Sequence, residues 1–464
     1  MKYIVFAFAA LGVPPLAALL WFNLRWARYV IWGMVVSLCL YQSTSINFFS
    51  HEDYLGSARG MEVSLIHLLA LALLLALIMR KKIRGLLPEG GFRIYAVYFL
   101  LCLPSLSAAD DRLISWFELW KMMAILVVYL AVFGYLKATD NIKTLMWGFC
   151  FIVFVNFPSV VSQHFSAHYQ AHGIFPHWNC MAMALHLFGM LFFAYYLLNG
   201  TRTLLGKVCF AAFVCGVIST FWSYSRGAFA VMPFGYGITL LACLLDRRHV
   251  MRTFRRLLPI ALVALLGLFA ILPRIVQRFR TAPKASSDTR VELAYCALEM
   301  IKDEPLRGVG INNWSLKMDA EHPYQDNASK IVGRDLDYRG IVETVYLLVG
   351  AECGIPALLA MLVWFGWYWV ACIRLLRRMV GSSLYFIPAG ILGGLTANYM
   401  QSALEWVLRQ QMNLMCLLFM FAILSWLLSR KESPSSHSEN DSSTSPARAD
   451  FPIRGDNFPI AGIS

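Results

Sequence analysis

The feature that most constrains this chain is its repeated return to apolar stretches of bilayer-spanning length. A membrane-crossing helix needs about 20 mostly apolar residues. By hydropathy about thirteen candidates follow one another, near 3–21, 29–43, 62–79, 92–107, 115–136, 143–161, 179–198, 208–222, 228–245, 257–273, 344–372, 383–401 and 411–428. Only 14% of residues are charged and 59% are apolar, at a mean hydropathy of +0.59. Soluble domains are nearer a quarter charged, so the expected class is an all-α polytopic membrane protein. Pro14-Pro15 should kink the first stretch. It lacks a clear small-residue cleavage site, so it reads as an anchor rather than a signal peptide.

The net charge of +13 invites a nucleic-acid reading, but its distribution opposes one. Arg25 and Arg28, Arg80 to Arg84, Lys137 and Lys143, Arg202 and Lys207, Arg247 to Arg256, Arg374 to Arg378, and Arg430 and Lys431 fill alternate short loops. That is the positive-inside pattern. It needs membrane lipid headgroups as partners and no nucleic acid. The eleven cysteines fall almost wholly inside apolar stretches, without Cys-x-x-Cys or zinc-like spacing. They read as small packing residues.

With the basic loops inside, the segments 45–60, 108–112, 162–179, 223–227, 274–342 and 402–411 fall on the opposite, outer face. Nearly every polar residue of chemical interest lies there, which in a Gram-negative cell is the periplasm. The expected organisation is a helix bundle over 1–273, a large outer loop over 274–342, further membrane helices over 343–429, and a Ser/Pro-rich disordered cytoplasmic tail over 430–464. Within the large loop, Ser287-Asp288 can cap a helix whose Val291, Ala294, Tyr295, Leu298 and Ile301 share one face. Pro305, Gly308 and Gly310 should end it, and its apolar face should turn toward the membrane or a cavity.

Four groups can carry chemistry. Arg226, in "SYSRGA" with Ser225, sits between apolar runs. It either faces a polar cavity and grips phosphate oxygens bidentately, or snorkels to headgroups. Arg290, at the start of the loop helix, follows Arg274, Arg278, Arg280 and Lys284. This basic run on the outer face suits an anionic lipid-linked substrate, or is ordinary surface charge. His172, His177 and Asn179 lie in "HGIFPHWN", with His164 and His168 nearby. No zinc spacing is present there, and a structural role stands beside a binding one. Glu343 lies at the mouth of the 344–372 stretch, with Tyr346 expected on the same helix face and Glu352 deeper. A carboxylate there is either a general base held ionised by a cation, or a first-turn charge complementing the helix dipole. Gly308-Val-Gly310 follows no strand and is not a dinucleotide fingerprint. Asp335-Leu-Asp337 resembles a nucleotide-sugar motif but lies on the wrong face.

In order and spacing, "GIFPHWN", "SYSRGA", "TRVELAYCALEMIKDEPLRGVGINNW" and "ETVYLLVGAECGIPALL" resemble motifs of the O-antigen ligase and polymerase family of bacterial inner membranes, over roughly residues 170–400. The resemblance implies a GT-C-like fold of about 12–13 transmembrane helices with one large periplasmic loop containing helices. It implies metal-independent, cofactor-free, inverting glycosyl transfer at the periplasmic face of the inner membrane. The donor would be a glycan on undecaprenyl pyrophosphate, and the acceptor a lipid A-core or lipid-linked sugar. Arg226 and Arg290 would stabilise the leaving pyrophosphate, and Glu343 would accept the acceptor's proton. His177, Asn179, Ser225, Arg274, Arg278 and Tyr346 would bind substrate. Where the family has His-Asn, this chain has Glu343-Thr344, which leaves ligase and polymerase both open. A flippase for lipid-linked oligosaccharide, or a non-catalytic partner in a polysaccharide secretion complex, are the alternatives.

Overall fold

The structure, a computed structural model, describes residues 2–80, 90–166, 170–280, 284–318, 323–332 and 340–430. The expected tail lies outside them, as do Asp335 and Asp337. In chain order, α1 (Lys2–Leu11) and α2 (Val13–Phe22) precede α3 (Ala27–Cys39) and the single turn α4 (Tyr41–Thr44). Strands β1 (Ile46–Phe48) and β2 (Met61–Val63) pair antiparallel, with Asn47 opposite Glu62. Then come α5 (Leu65–Met79), α6 (Gly91–Cys102), α7 (Arg112–Thr139), α8 (Ile142–Phe165), α9 (Trp178–Asn199), α10 (Leu204–Trp222) and α11 (Arg226–Leu244). They are followed by α12 (Val250–Arg280), α13 (Lys284–Asp303), α14 (Tyr324–Val332), α15 (Val345–Arg378), α16 (Phe386–Gln401) and α17 (Gln411–Ser429).

Every apolar stretch of the sequence is helical, but fewer than the expected 12–13 qualify as spans. Among the described residues seven helices are long and apolar enough, namely α7, α8, α9, α10, α11, α15 and α17. The first two stretches form a pair bent by 118°, which makes eight if it counts as one span. The break is local: Pro14 and Pro15 occupy the first turn of α2, where a missing N–H costs nothing, and Asn23 is extended. α5 has 15 residues and α16 has 16, short of the roughly 20 that a 30 Å core requires. Hydropathy registers apolarity and is blind to such breaks. α12 also runs on to Arg280, past the expected boundary at 273.

α9 is buried on nearly all sides and is the centre of the bundle, packed by α10, α11, α16 and α17. Small residues permit the close approach of α16. A Cβ at Gly390 or Gly394 would press on the backbone of α9 at Met190–Leu191 or His186–Leu187. α7 packs on α5 and α17, and α15 on α6 and α16.

The loop helix α13 corrects the sequence expectation. It begins at Lys284, so Asp288 lies within its first turns rather than at a cap. Its buried face is Leu293, Cys296, Ala297 and Met300, which packs with Trp314, Leu348 and Ala351 against the start of α15. Val291, Tyr295 and Leu298, on the face expected to turn toward the membrane or a cavity, are exposed. The helix is apolar on two sides, and the Leu293–Met300 side docks on α15.

α15 contains a break that explains the Pro-Leu-Arg-Gly-Val-Gly segment 305–310. Gly354 has φ 83°, ψ 170°, which frees the carbonyls of the preceding turn. The amides of Val309 and Gly310 donate to Ala351 O (2.9 Å) and Glu352 O (3.1 Å), and Ile355 N donates to Pro305 O (2.8 Å). Gly308, at φ 69°, lies so close that a side chain would strike the Glu352 backbone. A broken apolar helix thus has its backbone groups satisfied by a loop, as an interior without water demands.

Candidate functional site

The loops expected on one face do meet. Asn312 donates to Ala58 O (2.8 Å) and Ile114 O (2.9 Å), tying 305–318 to the 45–60 loop and α7. Val345 N donates to Ser402 O (3.0 Å), tying the start of α15 to the 402–411 loop. The "HGIFPHWN" loop is clamped from α8. Gln163 Oε1 accepts from His172 N (2.9 Å) and Gly173 N (2.8 Å), and Asn156 Oδ1 accepts from Ile174 N (3.1 Å).

These loops enclose a cavity of about 440 Å³. Arg226, Arg290, Glu343, His177, Asn179 and Ser225 all line it. Ser225 and His177 reach it as caps. Ser225 Oγ accepts from Ala228 N at 3.2 Å, and His177 Nδ1 accepts from Asn179 N at 3.2 Å. Two helix N-termini, those of α9 and α11, therefore open onto the cavity and favour negative charge there. Burial, with His172 nearby, pulls the His177 ring down to about 4, so it stays neutral and keeps its capping acceptor.

Arg290, in the second turn of α13, forms an ion pair with Glu343 and a second with Glu405 at 3.3 Å. Glu405 is the residue the sequence reading missed. It is the only acidic residue of the 402–411 loop, which was its one visible signal. Its side chain is 8% exposed, against 28% for Glu343. Burial pushes the Glu405 carboxyl up to about 7; Arg290 opposes the rise, Glu343 adds to it, and an Asn179 hydrogen bond offsets part. Trp406 and Gln410 complete the wall.

Two sequence expectations are not met here. Glu343 precedes the Thr344 cap of α15, so it is not in the first turn and shares no helix face with Tyr346. Tyr346 is directed away into the bundle, where its hydroxyl donates to Tyr399 O (2.8 Å). His164 stacks on Trp222 at 4.5 Å, and His172 Nδ1 contacts Phe175 O at 2.6 Å. Among the described residues no group of three His, Cys, Asp or Glu is arranged to hold a metal. Arg274 and Arg278 lie on α12, with side chains outside the described residues, as is His168.

A second charged cluster lies deeper. Arg409 is paired with Glu352 of α15 and, at 3.0 Å, with Glu118 of α7. Lys121 joins Glu118 at 2.6 Å and donates to Arg409 O at 2.7 Å. Ser57 Oγ donates to Glu118 Oε2 at 2.8 Å. All four charged residues are buried. Glu352 is thus a partner of Arg409 and not of the cavity.

The fold and site define an all-α, multi-pass membrane protein with a charged cavity built by its loops at one end of the bundle. Within it, residues 211–362 match the sequence model of the O-antigen ligase family. That segment contains Arg226, Arg290 and Glu343, whereas His177, Asn179 and Glu405 come from outside it. No curated protein matches the chain.

Proposed function

We propose that this protein is a membrane glycosyltransferase of the O-antigen ligase and polymerase type. It moves a glycan from undecaprenyl pyrophosphate to a sugar hydroxyl at the periplasmic face of the bacterial inner membrane, with inversion and without a metal. The observation that carries this is the gathering of Arg226, Arg290 and Glu343 in one cavity. They come from three separate elements, and all lie within the O-antigen ligase match.

The chemistry follows from the charges. Arg226 and the N-termini of α9 and α11 hold the pyrophosphate. The acceptor hydroxyl attacks the anomeric carbon as the carbon–oxygen bond to pyrophosphate breaks, and Glu343 accepts the hydroxyl proton. On protonation Glu343 ceases to be a counter-ion for Arg290. The guanidinium then turns its charge to the leaving pyrophosphate at the moment negative charge develops there. Glu405, held near neutrality in pKa, remains to balance Arg290 between turnovers. The acceptor is a lipid A-core sugar for a ligase or a lipid-linked repeat for a polymerase.

A flippase would need charged groups along a path through the bundle. The candidates, Glu118, Lys121, Glu352 and Arg409, saturate one another in a closed cluster, which counts against that reading. The test is complementation of cells lacking the protein with wild type, Arg226→Ala, Arg290→Ala or Glu343→Gln, at matched membrane expression. Loss of long surface glycan with precursor accumulating outside is expected. Single repeats left on lipid A mean a polymerase. Normal glycan in all three variants refutes the assignment, and precursor trapped inside means a flippase.

A further inference from the structure

A second cavity, of about 360 Å³, shares a wall with the first. Pro176, Trp406 and Gln410 line both. Its far side is the β1–β2 pair, where Asn47 and Glu62 stand opposite each other in register. Gln411, at the start of α17, adds another amide. The volume lies within the ~300–1,000 Å³ range of small-ligand sites.

The lining selects a ligand class. Carboxamides offer both donors and acceptors, the carboxylate of Glu62 offers acceptors, and an indole offers a flat apolar face. Two cations also line the cavity: Lys121, whose charge is engaged by Glu118 at 2.6 Å, and the exposed Arg59, whose guanidinium can donate to hydroxyls. The site thus combines amide, carboxylate and guanidinium hydrogen-bonding groups with the apolar faces of Tyr41, Pro176 and Trp406. Neutral, hydroxyl-rich molecules with one apolar face match it, and those are sugars. Burial raises the Glu62 carboxyl, with Tyr41, Ser45 and Lys121 pulling back.

We propose that the Asn47–Glu62 cavity is a saccharide subsite, seating the glycan part of a substrate whose reacting end lies beyond the Trp406–Gln410 wall in the Arg226–Arg290–Glu343 cavity. This rests on the glycosyl-transfer reading. The glycan can belong to the acceptor or to the donor, since the chemistry is shared.

The test uses purified full-length protein in nanodiscs, with native undecaprenyl-pyrophosphate-linked glycan and de-O-acylated lipid A-core from cells that carry it. Asn47→Ala and Glu62→Gln touch only the second cavity. Each is expected to raise one KM about tenfold, the effect of one lost charged or paired hydrogen bond, with kcat within about twofold. A rise in the acceptor KM assigns the subsite to the acceptor, and a rise in the donor KM to the donor. Transfer with both KM values unchanged in both variants overturns the subsite and leaves the glycosyl-transfer reading standing. No transfer by wild type with either acceptor class, lipid A-core or lipid-linked glycan, overturns that reading itself. If Glu62→Gln does not fold, Asn47→Ala on the exposed strand decides.

Discussion

The molecule holds two arginine–carboxylate clusters of nearly the same composition, and they differ in what surrounds them. Arg409 lies between Glu118 and Glu352, with Lys121 beside them, in a closed interior where every charge has a partner. Arg290 lies between Glu343 and Glu405 at the wall of a cavity, with its own side chain and that of Glu343 about one-third exposed. The first cluster joins α7, α15 and the 402–411 loop, and all four of its charged residues are buried. The second can exchange a partner for a ligand. Burial and closure, not residue type, separate a structural ion cluster from one able to do chemistry.

The largest expected effect breaks the closed cluster. Arg409→Ala leaves Glu352 buried without its cation and Glu118 with Lys121 alone. Removing one partner of a buried pair costs about 3–5 kcal/mol, so the variant should fail to yield folded protein in a size-exclusion assay of membrane extracts. Recovery of stable protein would contradict a structural role. Next comes the open cluster. Glu343→Gln should cut transfer about 10²–10⁴-fold, the usual worth of a positioned general base, while thermal unfolding shifts little because the pair is partly screened.

The third effect sharpens the contrast through pH. Glu405 has a folded pKa near 7 against an ordinary value of 4.5. Between those values the folded state holds a proton that the unfolded state has released, so stability falls as pH rises from about 4.5 through 7. Glu405→Gln removes this dependence. The variant should gain about 1–3 kcal/mol relative to wild type across that window, read as diverging melting curves between pH 5 and 8. Parallel curves would mean that Glu405 titrates normally. The smallest effect concerns the cap of α9. His177→Ala should cost about 1 kcal/mol and His177→Asn much less, since Asn also caps. A much larger loss of transfer in His177→Asn than in stability would give His177 a role in binding substrate.

The sequence carried the membrane class, because apolar runs of spanning length have no other common use. It also placed the segments that hold Arg226, Arg290, Glu343, His177, Asn179 and Ser225 on one face, because loop alternation sorts distant segments to one end, but not their convergence on one cavity. It did not carry Glu405 or Trp406, whose importance depends on the 402–411 loop folding back over the cavity. Tyr346 was misplaced because α15 starts two residues after Glu343, which puts the two on different structures. Glu352, about two turns into α15, faces Arg409 instead of the cavity.

The central claim is that the cavity cluster acts on substrate while the buried cluster holds the fold. Its most direct test is single-turnover glycan transfer by purified wild type and Arg290→Ala, with the thermal midpoint measured on the same samples. The account predicts that Arg290→Ala loses transfer by about 10²-fold or more with a midpoint close to wild type. Transfer at the wild-type rate by a folded Arg290→Ala protein would contradict it.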